Sequence, residues 1–351
     1  MNTTTITNTT TVAVDATALK AALAKIKAAI ARSHAPALRC IRVDATSNEV
    51  RLTATDLDDT LSTTIAGIVT EPGSLLVPYA LLNKLLTAHN KGTVEITNTT
   101  VKLKNLSLTF EPVDVAEFPK IDPGEGRTIE LNLDALRDIM GAISKDDTRP
   151  ILCSVLVRGG TYVATDSYRL HIVETTTDTG PDFLLYRTGA LIAAKYDGTV
   201  TATVHDRHLT IQLDETTTLV ARLVQGEFPN YRNLIPVNSP RWVTLSDSFL
   251  ADVKPLLKVT AGDPTAPMRF TQGDGELNVA IHGDWKATAT TPGSTEVDIA
   301  FNPQYLLDLL AGTTSNVLGV VDSLKPAVLR EPAPELGEDA QRVRLIMPAR
   351  H

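Results

Sequence analysis

The segment of this chain best suited to chemistry is Asp56-Leu57-Asp58-Asp59-Thr60. It fits the DxDxT pattern of phosphatases that use an aspartate nucleophile, and it follows an alternating apolar stretch. Such an enzyme needs a parallel α/β sheet with the aspartates at a strand's carboxyl end, and further groups for phosphate and Mg²⁺. The surrounding pattern is antiparallel, and the matching segment Asp166-Ser167-Tyr168-Arg169 keeps only one acid. An Mg²⁺-dependent phosphatase using Asp56 and Asp58 is therefore one reading, and an exposed acidic strand end is the other.

Other signatures of catalysis are absent from the sequence. It contains no GxSxG, HExxH, Walker or GxGxxG motif. The seven histidines lack ligand spacing, and Cys40 and Cys153 lie far apart with no Cys/His cluster nearby. Two isolated cysteines are typical of reduced, buried thiols. The main prediction is thus a protein that is not an enzyme and has no metal or cofactor, with the phosphatase as the alternative.

Two short signatures occur twice at one spacing. Ala54-Thr55-Asp56 returns as Ala164-Thr165-Asp166, and Glu117-Phe118-Pro119 returns as Glu227-Phe228-Pro229, both 110 residues on (from 54 to 164 and from 117 to 227). Two pairs in one register indicate a duplicated domain rather than a short-repeat solenoid.

Hydrophobic periodicity predicts the elements of each unit. Apolar stripes at helical spacing follow Asp15 (over 19–30), Asn132 and Asp247, and shorter helical segments are predicted at 79–87, 188–195 and 303–310. Pro255 is expected to weaken or kink the third of these stripes. Stretches of period-two alternation lie between the helices, so each unit reads as helix, strands, helix, strands. The predicted fold class is α+β, dominated by antiparallel sheet.

Segments rich in turn formers set the expected boundaries. These segments, 122–126 and 237–240, divide the chain into domains 1–126, 127–240 and 241–351, the first with a Thr-rich tail over 1–11. An acidic, Pro-rich stretch over 332–338 predicts an exposed loop in the third domain.

Composition excludes several classes of protein. The chain is 43% hydrophobic and 21% charged, with no apolar run long enough for a membrane span and no signal-like start. We therefore expect a cytoplasmic protein with no membrane partner. A net charge of −8 argues against tight binding of nucleic acid through overall charge.

Two local features remain open to a functional or a routine reading. On the first helix, Lys20 and Lys27 alternate with Ala24 and Ala31, a surface that can approach a phosphate backbone without reading bases or can be an ordinary solvated face. The chain's end, 345–351, is apolar almost to the last residue. It is either a terminal strand or one wall of a peptide groove.

Together these motifs resemble the bacterial DNA polymerase III β subunit, the replication sliding clamp. The segments that carry the resemblance are 54–57, 117–119, 149–152, 164–166 with 169–170, 226–232 with 235–236, 301–302 with 305–308, and 347–350. They cover essentially the whole chain after the Thr-rich tail.

The resemblance implies three similar domains per chain and a head-to-tail homodimer that closes into a ring, the DNA clamp fold. Such a ring encircles double-stranded DNA without sequence preference and acts as a processivity factor in DNA replication, tethering the DNA polymerase III α subunit, the clamp loader and other clamp-motif peptides. The DNA contacts it implies are Lys20, Lys27, Arg32, Arg149 and Arg187. The dimer interface it implies is Leu106, Leu108, Val259 and Thr260. A scaffold dimer that does not hold DNA is a further alternative.

The resemblance also implies a peptide pocket between the second and third domains. The positions carried over to this pocket are Leu152, Thr165, Ser167, Tyr168, Arg169, Leu170, Pro229, Asn233, Leu234, Ile346, Met347, Pro348, Ala349 and Arg350. Several of them depart from the family pattern. Ser167-Tyr168 replaces the usual Gly-His, Asn233 replaces a common arginine, and Ala349 replaces a methionine. The resemblance therefore implies an altered peptide preference.

Overall fold

The protein is described from a computed structural model that covers residues 10–31, 33–47, 49–259, 266–282 and 286–350. The strands within these ranges are β1 (Thr11–Asp15), β2 (Cys40–Ala45), β3 (Glu49–Thr55), β4 (Asp59–Ala66), β5 (Ile68–Glu71), β6 (Gly73–Pro78), β7 (Thr93–Ile96), β8 (Thr100–Leu103), β9 (Leu106–Thr109), β10 (Arg127–Asn132), β11 (Ser154–Arg158), β12 (Thr161–Thr165), β13 (Arg169–Glu174), β14 (Phe183–Tyr186), β15 (Thr199–Val204), β16 (His208–Gln212), β17 (Thr217–Arg222), β18 (Arg241–Leu245), β19 (Met268–Gln272), β20 (Leu277–His282), β21 (Lys286–Thr291), β22 (Gly293–Thr295), β23 (Ile299–Phe301), β24 (Val317–Val320), β25 (Ala327–Pro332) and β26 (Gln341–Ile346).

The α-helices are fewer and short. They are α1 (Ala16–Ile26), α2 (Tyr79–Ala88), α3 (Leu133–Ile139), α4 (Arg187–Ala193), α5 (Phe249–Val259) and α6 (Pro303–Leu310). Short 3₁₀ turns cover Lys27–Ala29, Ala37–Arg39, Val115–Glu117, Met140–Ala142, Tyr231–Leu234 and Pro334–Leu336. None of the helices in the described ranges is long and apolar enough to cross a membrane.

The chain packs into two compact units. The first comprises the described parts of Met1–Ile129 with Val200–Leu223, and the second comprises Glu130–Thr199 with the described parts of Val224–His351. The first unit contains a five-stranded sheet in the order β5-β1-β7-β8-β9. Its larger sheet runs β15-β16-β17-β4-β3-β2-β6, with β10, in which the boundary between the units falls, at one edge.

The second unit also contains two sheets. The nine-stranded one has the order β14-β11-β12-β13-β26-β25-β24-β18-β22, and the four-stranded one has the order β21-β20-β19-β23. Strands pair antiparallel, as in β3 with β4 and β13 with β26. The predicted α+β class with dominant antiparallel sheet is confirmed. The pairs β4–β17 and β13–β26 each join strands from two predicted domains, and the division into three domains stays a prediction.

The helices α1, α3 and α6 begin at residues whose side chains cap them. Asp15 Oδ1 accepts hydrogen bonds from the backbone N–H groups of Thr17 and Ala18, both at 2.9 Å, at the start of α1. Asn132 Oδ1 caps α3 through Ala135 N at 2.9 Å, and Asn302 Oδ1 caps α6 through Tyr305 N at 3.2 Å. Each cap satisfies an otherwise unpaired backbone donor.

Some predicted bounds differ from the structure. The first apolar stripe reaches Ile30, but α1 ends at Ile26 because the chain tightens into the 3₁₀ turn Lys27–Ala29, closed by Ile30 N donating to Lys27 O at 3.2 Å. The helix α5 continues past Pro255 to Val259. Thr10 is buried and Thr11 begins β1, so the end of the predicted tail belongs to the fold.

The expected exposed loop over 332–338 is wrong in part. Ala333 and Leu336 are buried, and the carbonyl of Leu336 accepts a hydrogen bond from Asn132 Nδ2 at 2.6 Å. The prediction rested on the acidic residues, and Glu335 and Glu338 are indeed exposed. The two apolar residues between the charged positions pack inward instead.

Candidate functional site

The duplicated Ala-Thr-Asp signature builds the same hairpin turn twice. Asp56 Oδ1 accepts from the backbone N–H groups of Asp58 at 3.1 Å and Asp59 at 2.8 Å. In the second copy, Asp166 Oδ1 accepts from Tyr168 N at 2.9 Å and Arg169 N at 3.0 Å. An aspartate in this position replaces a backbone turn with a side-chain one.

The threonines and the left-handed residues of the two turns also match. The hydroxyl of Thr55 donates to Asp59 O at 3.2 Å, and that of Thr165 donates to Arg169 O at 2.7 Å. Leu57 and Ser167 take the same backbone conformation, with φ of 82° and 80°. The repeat is therefore conserved as geometry within the chain, and it explains why these residue types recur.

This geometry does not fit the phosphatase reading. Asp56 lies in a tight antiparallel hairpin, and its carboxylate accepts backbone hydrogen bonds within the turn. Asp58 forms an ion pair with Arg222 at 2.9 Å. Within the described residues, no group of three or more His, Cys, Asp or Glu side chains is placed to hold a metal ion. Cys40 and Cys153 are free and buried.

The second turn lies beside the carboxyl end of the chain. Strand β26 pairs with β13, with Ile346 opposite Arg169 and Leu345 opposite Leu170. Beyond the strand, Met347 N donates to Tyr168 O at 2.8 Å. Ala349 N donates to Ala300 O at 2.8 Å, so the terminal segment is held at both ends. Leu345 and Ile346 therefore belong to a paired strand, as one of the two readings predicted, and residues 347–350 follow it outside the strand.

An apolar cluster lies under this turn. Its buried members are Leu156, Val163, Leu170, Ile172, Leu184, Tyr231, Val328 and Leu345. Ile151 and Phe228 pack against it, and the Phe228 ring meets Tyr231 edge-on with centroids 6.4 Å apart. The segments 149–152 and 228–234, which contain the predicted pocket residues Leu152, Pro229, Asn233 and Leu234, are thereby attached to the same core as Leu170.

Large apolar side chains remain exposed around this core. Tyr168 is 57% exposed, Leu234 54% and Met347 38%. Several exposed apolar groups around one packed core are typical of an interaction site. Of the other predicted pocket residues, Leu152, Thr165, Arg169, Leu170 and Ile346 are buried, Pro348 and Ala349 half-buried, and Ser167, Pro229, Asn233 and Arg350 exposed.

Arg169 joins the turn to helix α6. Its Nε donates to Asp166 Oδ2 at 3.0 Å, its Nη1 to Asp308, and its guanidinium carbon lies 4.3 Å from the centre of the Tyr305 ring. The Tyr168 ring stacks on the Tyr305 ring, with the two ring centroids 6.1 Å apart. Burial, with the nearby Asp166 charge, raises the pKa of Tyr305. Tyr305 was not predicted as a site residue, although it belongs to a motif that carried the resemblance.

A buried charge network holds β26 in place. Asp138 on α3 accepts from Arg342 Nε at 3.0 Å and from Arg344 Nη2 at 2.7 Å. Arg344 Nη1 also donates to the carbonyls of Leu309 and Ala311 at the end of α6, both at 2.6 Å. Local sequence patterns carry no signal of this network, because Arg342 and Arg344 lie 204 and 206 residues from Asp138.

The predicted DNA contacts fall into two groups. Lys20 and Lys27 are exposed on α1 and the 3₁₀ turn after it, with no ion-pair partner among the described residues. Arg149 pairs with Asp146 at 2.8 Å and Arg187 with Asp147 at 2.9 Å. Arg32 lies outside the described residues. Of the four predicted cations that the structure describes, Lys20 and Lys27 thus have no ion-pair partner among the described residues.

Lys25, which lies on α1 between Lys20 and Lys27 in sequence, forms an ion pair. Its Nζ lies 2.9 Å from Asp214 Oδ2 and 3.2 Å from the hydroxyls of Thr216 and Thr217. Burial alone would raise the pKa of Asp214, but the hydrogen bonds from Lys25 and Thr216 outweigh it and lower that pKa to about 2. Lys25 therefore ties α1 to the β16–β17 turn.

The structure describes three of the four predicted dimer-interface residues. Leu106 and Leu108 are half-buried on β9, an edge strand of the five-stranded sheet. Val259 is the last residue of α5, and Thr260 lies outside the described residues. Edge strands carry unpaired backbone groups that can pair with another chain.

Comparison with known proteins gives one consistent result. The chain is 26% identical over 332 residues to a beta sliding clamp of Chlamydia trachomatis, covering 84% of this chain and 78% of that protein. It is 27% identical over 357 residues to that of Streptomyces coelicolor, covering 91% and 93%. No family model matches the chain.

Solved structures agree in fold. The C. crescentus beta sliding clamp has a TM-score of 0.86 at 20% identity, covering 98% of this chain and all of that one. The Thermotoga maritima DNA polymerase III β subunit has a TM-score of 0.83 at 20% identity, covering 97% and 100%. The fold is therefore that of the bacterial DNA sliding clamps. Sequence similarity to beta sliding clamps over most of its length confirms the resemblance drawn from the sequence.

Proposed function

We propose that this protein is a replication sliding clamp, a processivity factor that encircles duplex DNA and tethers the replicative polymerase. The observation that carries this proposal is the agreement of fold along 97–98% of the chain with beta sliding clamps. The protein has no catalytic role in this account, needs no cofactor and works in the cytoplasm.

Enclosure explains how a chain with a net charge of −8 can hold DNA. A protein that grips DNA by charge alone needs many phosphate contacts. A closed ring needs only weak, sequence-independent ones. Lys20 and Lys27, both exposed and unpaired among the described residues, are the best placed to supply them.

Ring closure requires two copies of three domains each. We place the interface at Leu106 and Leu108 of one copy against Val259 and Thr260 of the other. The exposed edge of β9 supports this choice, because a head-to-tail contact pairs a free edge and closes by two-fold symmetry.

The predicted peptide pocket around Tyr168, Leu234 and Met347, called the peptide groove from here on, is proposed to bind short peptides of the polymerase III α subunit, the clamp loader and other partners. Its support is the exposed Tyr168, Leu234 and Met347 around the Leu170 core. Clamps of similar fold from Bartonella birtlesii and Pseudomonas aeruginosa have been crystallised with griselimycin. Griselimycin is therefore a suitable probe of this groove.

Sedimentation and electron microscopy test the assembly. A clamp is expected to be a dimer with a central opening that admits a double helix. At low protein concentration the fraction of dimer should fall. A scaffold dimer would also sediment as two chains but would show a compact particle without that opening. Such a particle would exclude the ring.

A further inference from the structure

The turn that carries Ser167 makes one contact that its counterpart in the first repeat does not. Ser167 Oγ accepts a hydrogen bond from Arg149 Nη1 at 2.9 Å. Leu57 stands at the equivalent position with nearly the same φ, 82° against 80°, and has no hydroxyl. The left-handed turn therefore forms without a serine, so the Ser167 hydroxyl is not needed to build it.

The contact joins two segments of the proposed groove. Arg149 begins a tight turn in which its carbonyl accepts from Leu152 N at 3.0 Å and Cys153 N at 3.2 Å. Leu152 is a predicted groove residue, as is Ser167. The Arg149–Ser167 bond is the side-chain link between the 149–152 turn and the hairpin turn that precedes Arg169.

The Arg149 guanidinium is held by two hydrogen bonds and keeps further N–H donors available. Its Nε donates to Asp146 Oδ2 at 2.8 Å and its Nη1 to Ser167, whereas its Nη2 has no partner among the described residues. The side chain is 43% exposed. A guanidinium fixed on two sides presents its remaining N–H groups in one direction, which suits an oxygen acceptor.

We propose that Ser167 is a positioning residue of the peptide groove, holding the Arg149 guanidinium so that its free N–H groups donate to an acceptor oxygen of the docked peptide. This inference rests on the proposed peptide-binding function. It also gives Arg149 a role at the groove in place of the predicted DNA contact.

The test is a double-mutant cycle with griselimycin as the probe, measured by calorimetry. We expect Ser167→Ala and Arg149→Ala each to weaken binding about tenfold, the usual scale for one charge-assisted hydrogen bond. Adding Ser167→Ala to Arg149→Ala should cause little further loss. Equal, additive losses would show that the two residues act separately and would overturn the inference.

Two further variants separate the hydroxyl from backbone strain. Ser167→Gly relieves a positive φ but lacks the hydroxyl, so it should weaken binding as Ser167→Ala does; wild-type affinity in Ser167→Gly would overturn the inference. Leu57→Ala, the matched change in the first repeat, should leave affinity unchanged.

The source of the acceptor and the proposed function are tested separately. The probes are two hexapeptides from a display library that are identical except at one position, which is Glu in one and Gln in the other. If the acceptor is a carboxylate, Ser167→Ala should weaken binding of the Glu peptide more than that of the Gln peptide. A carbonyl acceptor predicts the same loss for both. Failure of the wild-type protein to bind griselimycin and either peptide would overturn the groove itself, whereas wild-type binding that Ser167→Ala leaves intact overturns only the positioning role.

Discussion

Arg222 Nη1 donates to Asp58 Oδ1 at 2.9 Å, in the place where the second repeat has Met347 and Tyr168. The 110-residue shift equates Asp58 with Tyr168. Strand pairing equates Arg222 with Met347, because Ala221 lies opposite Asp59 as Ile346 lies opposite Arg169. One repeat therefore has an ion pair where the other has an exposed aromatic and a flexible apolar side chain.

This difference predicts one peptide-binding groove per chain. Met347→Asp should abolish griselimycin binding, with a loss of at least about 100-fold, because a charge in an apolar groove lacks compensation. Calorimetry gives the affinity, and light scattering should show an unchanged dimer. Arg222→Met, the matched change in the first repeat, should leave one site per chain. Unchanged affinity in Met347→Asp would remove the groove assignment.

Asp56 is predicted to act in folding and not in catalysis. Asp56→Asn keeps an Oδ1 acceptor for the two backbone N–H groups and should change the free energy of unfolding little. Asp56→Ala removes it and should cost about 1 kcal/mol. Urea denaturation measures both. A phosphatase would instead hydrolyse an aryl phosphate with Mg²⁺ and lose that activity in Asp56→Asn, and such a result would contradict the turn-building role.

The Lys25–Asp214 pair predicts a stability change in acid. The pKa of Asp214 is about 2 in the folded state, below its ordinary value of 3.8, so the stability that the ion pair contributes is present above pH 3.8 and lost as the pH falls through 2. With 32% of the Asp214 side chain exposed, solvent screening limits it to about 1 kcal/mol. Asp214→Asn should remove this part of the pH dependence in denaturant titrations.

The matched control for that change is Asp206→Asn, since the Asp206 side chain is 89% exposed. It should leave the acid limb of the stability profile as in the wild type. Equal effects of the two substitutions would show that the Lys25 contact contributes nothing specific.

Lys20 and Lys27 are predicted to affect DNA retention and leave assembly intact. Replacing both with Glu should shorten the lifetime of the protein on circular DNA several-fold and reduce the salt dependence of that lifetime, because two phosphate contacts are lost. Single-molecule fluorescence measures the lifetime. Lys120→Glu, an exposed lysine distant in sequence from α1, is the control. No difference between the double variant and the control would argue against contacts from α1.

Local signals predicted much of the fold. The bounds of α6, Pro303–Leu310, follow from an Asn cap and a Pro in the first turn, and the duplicated signatures marked both hairpin turns. The long-range contacts carried no local signal. The partners of Asp138, the pairing of Asp58 with Arg222 and the bond between Arg149 and Ser167 depend on strand register, which periodicity alone does not provide.

The candidate site was predictable by resemblance and not by chemistry. Exposed Leu234 and Met347 look unremarkable as residue types, and only the pairing of β13 with β26 places Met347 beside Tyr168. Tyr305 was missed because an apolar helix with one tyrosine reads as core. Its stacking with Tyr168 and its contact with Arg169 appear only in three dimensions.

Retention on circular DNA is the direct test of topological enclosure. The protein is loaded with a clamp loader onto nicked circular DNA, separated from free protein, and then followed before and after a single cut that linearises the circle. Topological enclosure predicts that it stays on the circle and is lost from the linear form. Equal loss from both forms would mean ordinary weak binding and would exclude enclosure.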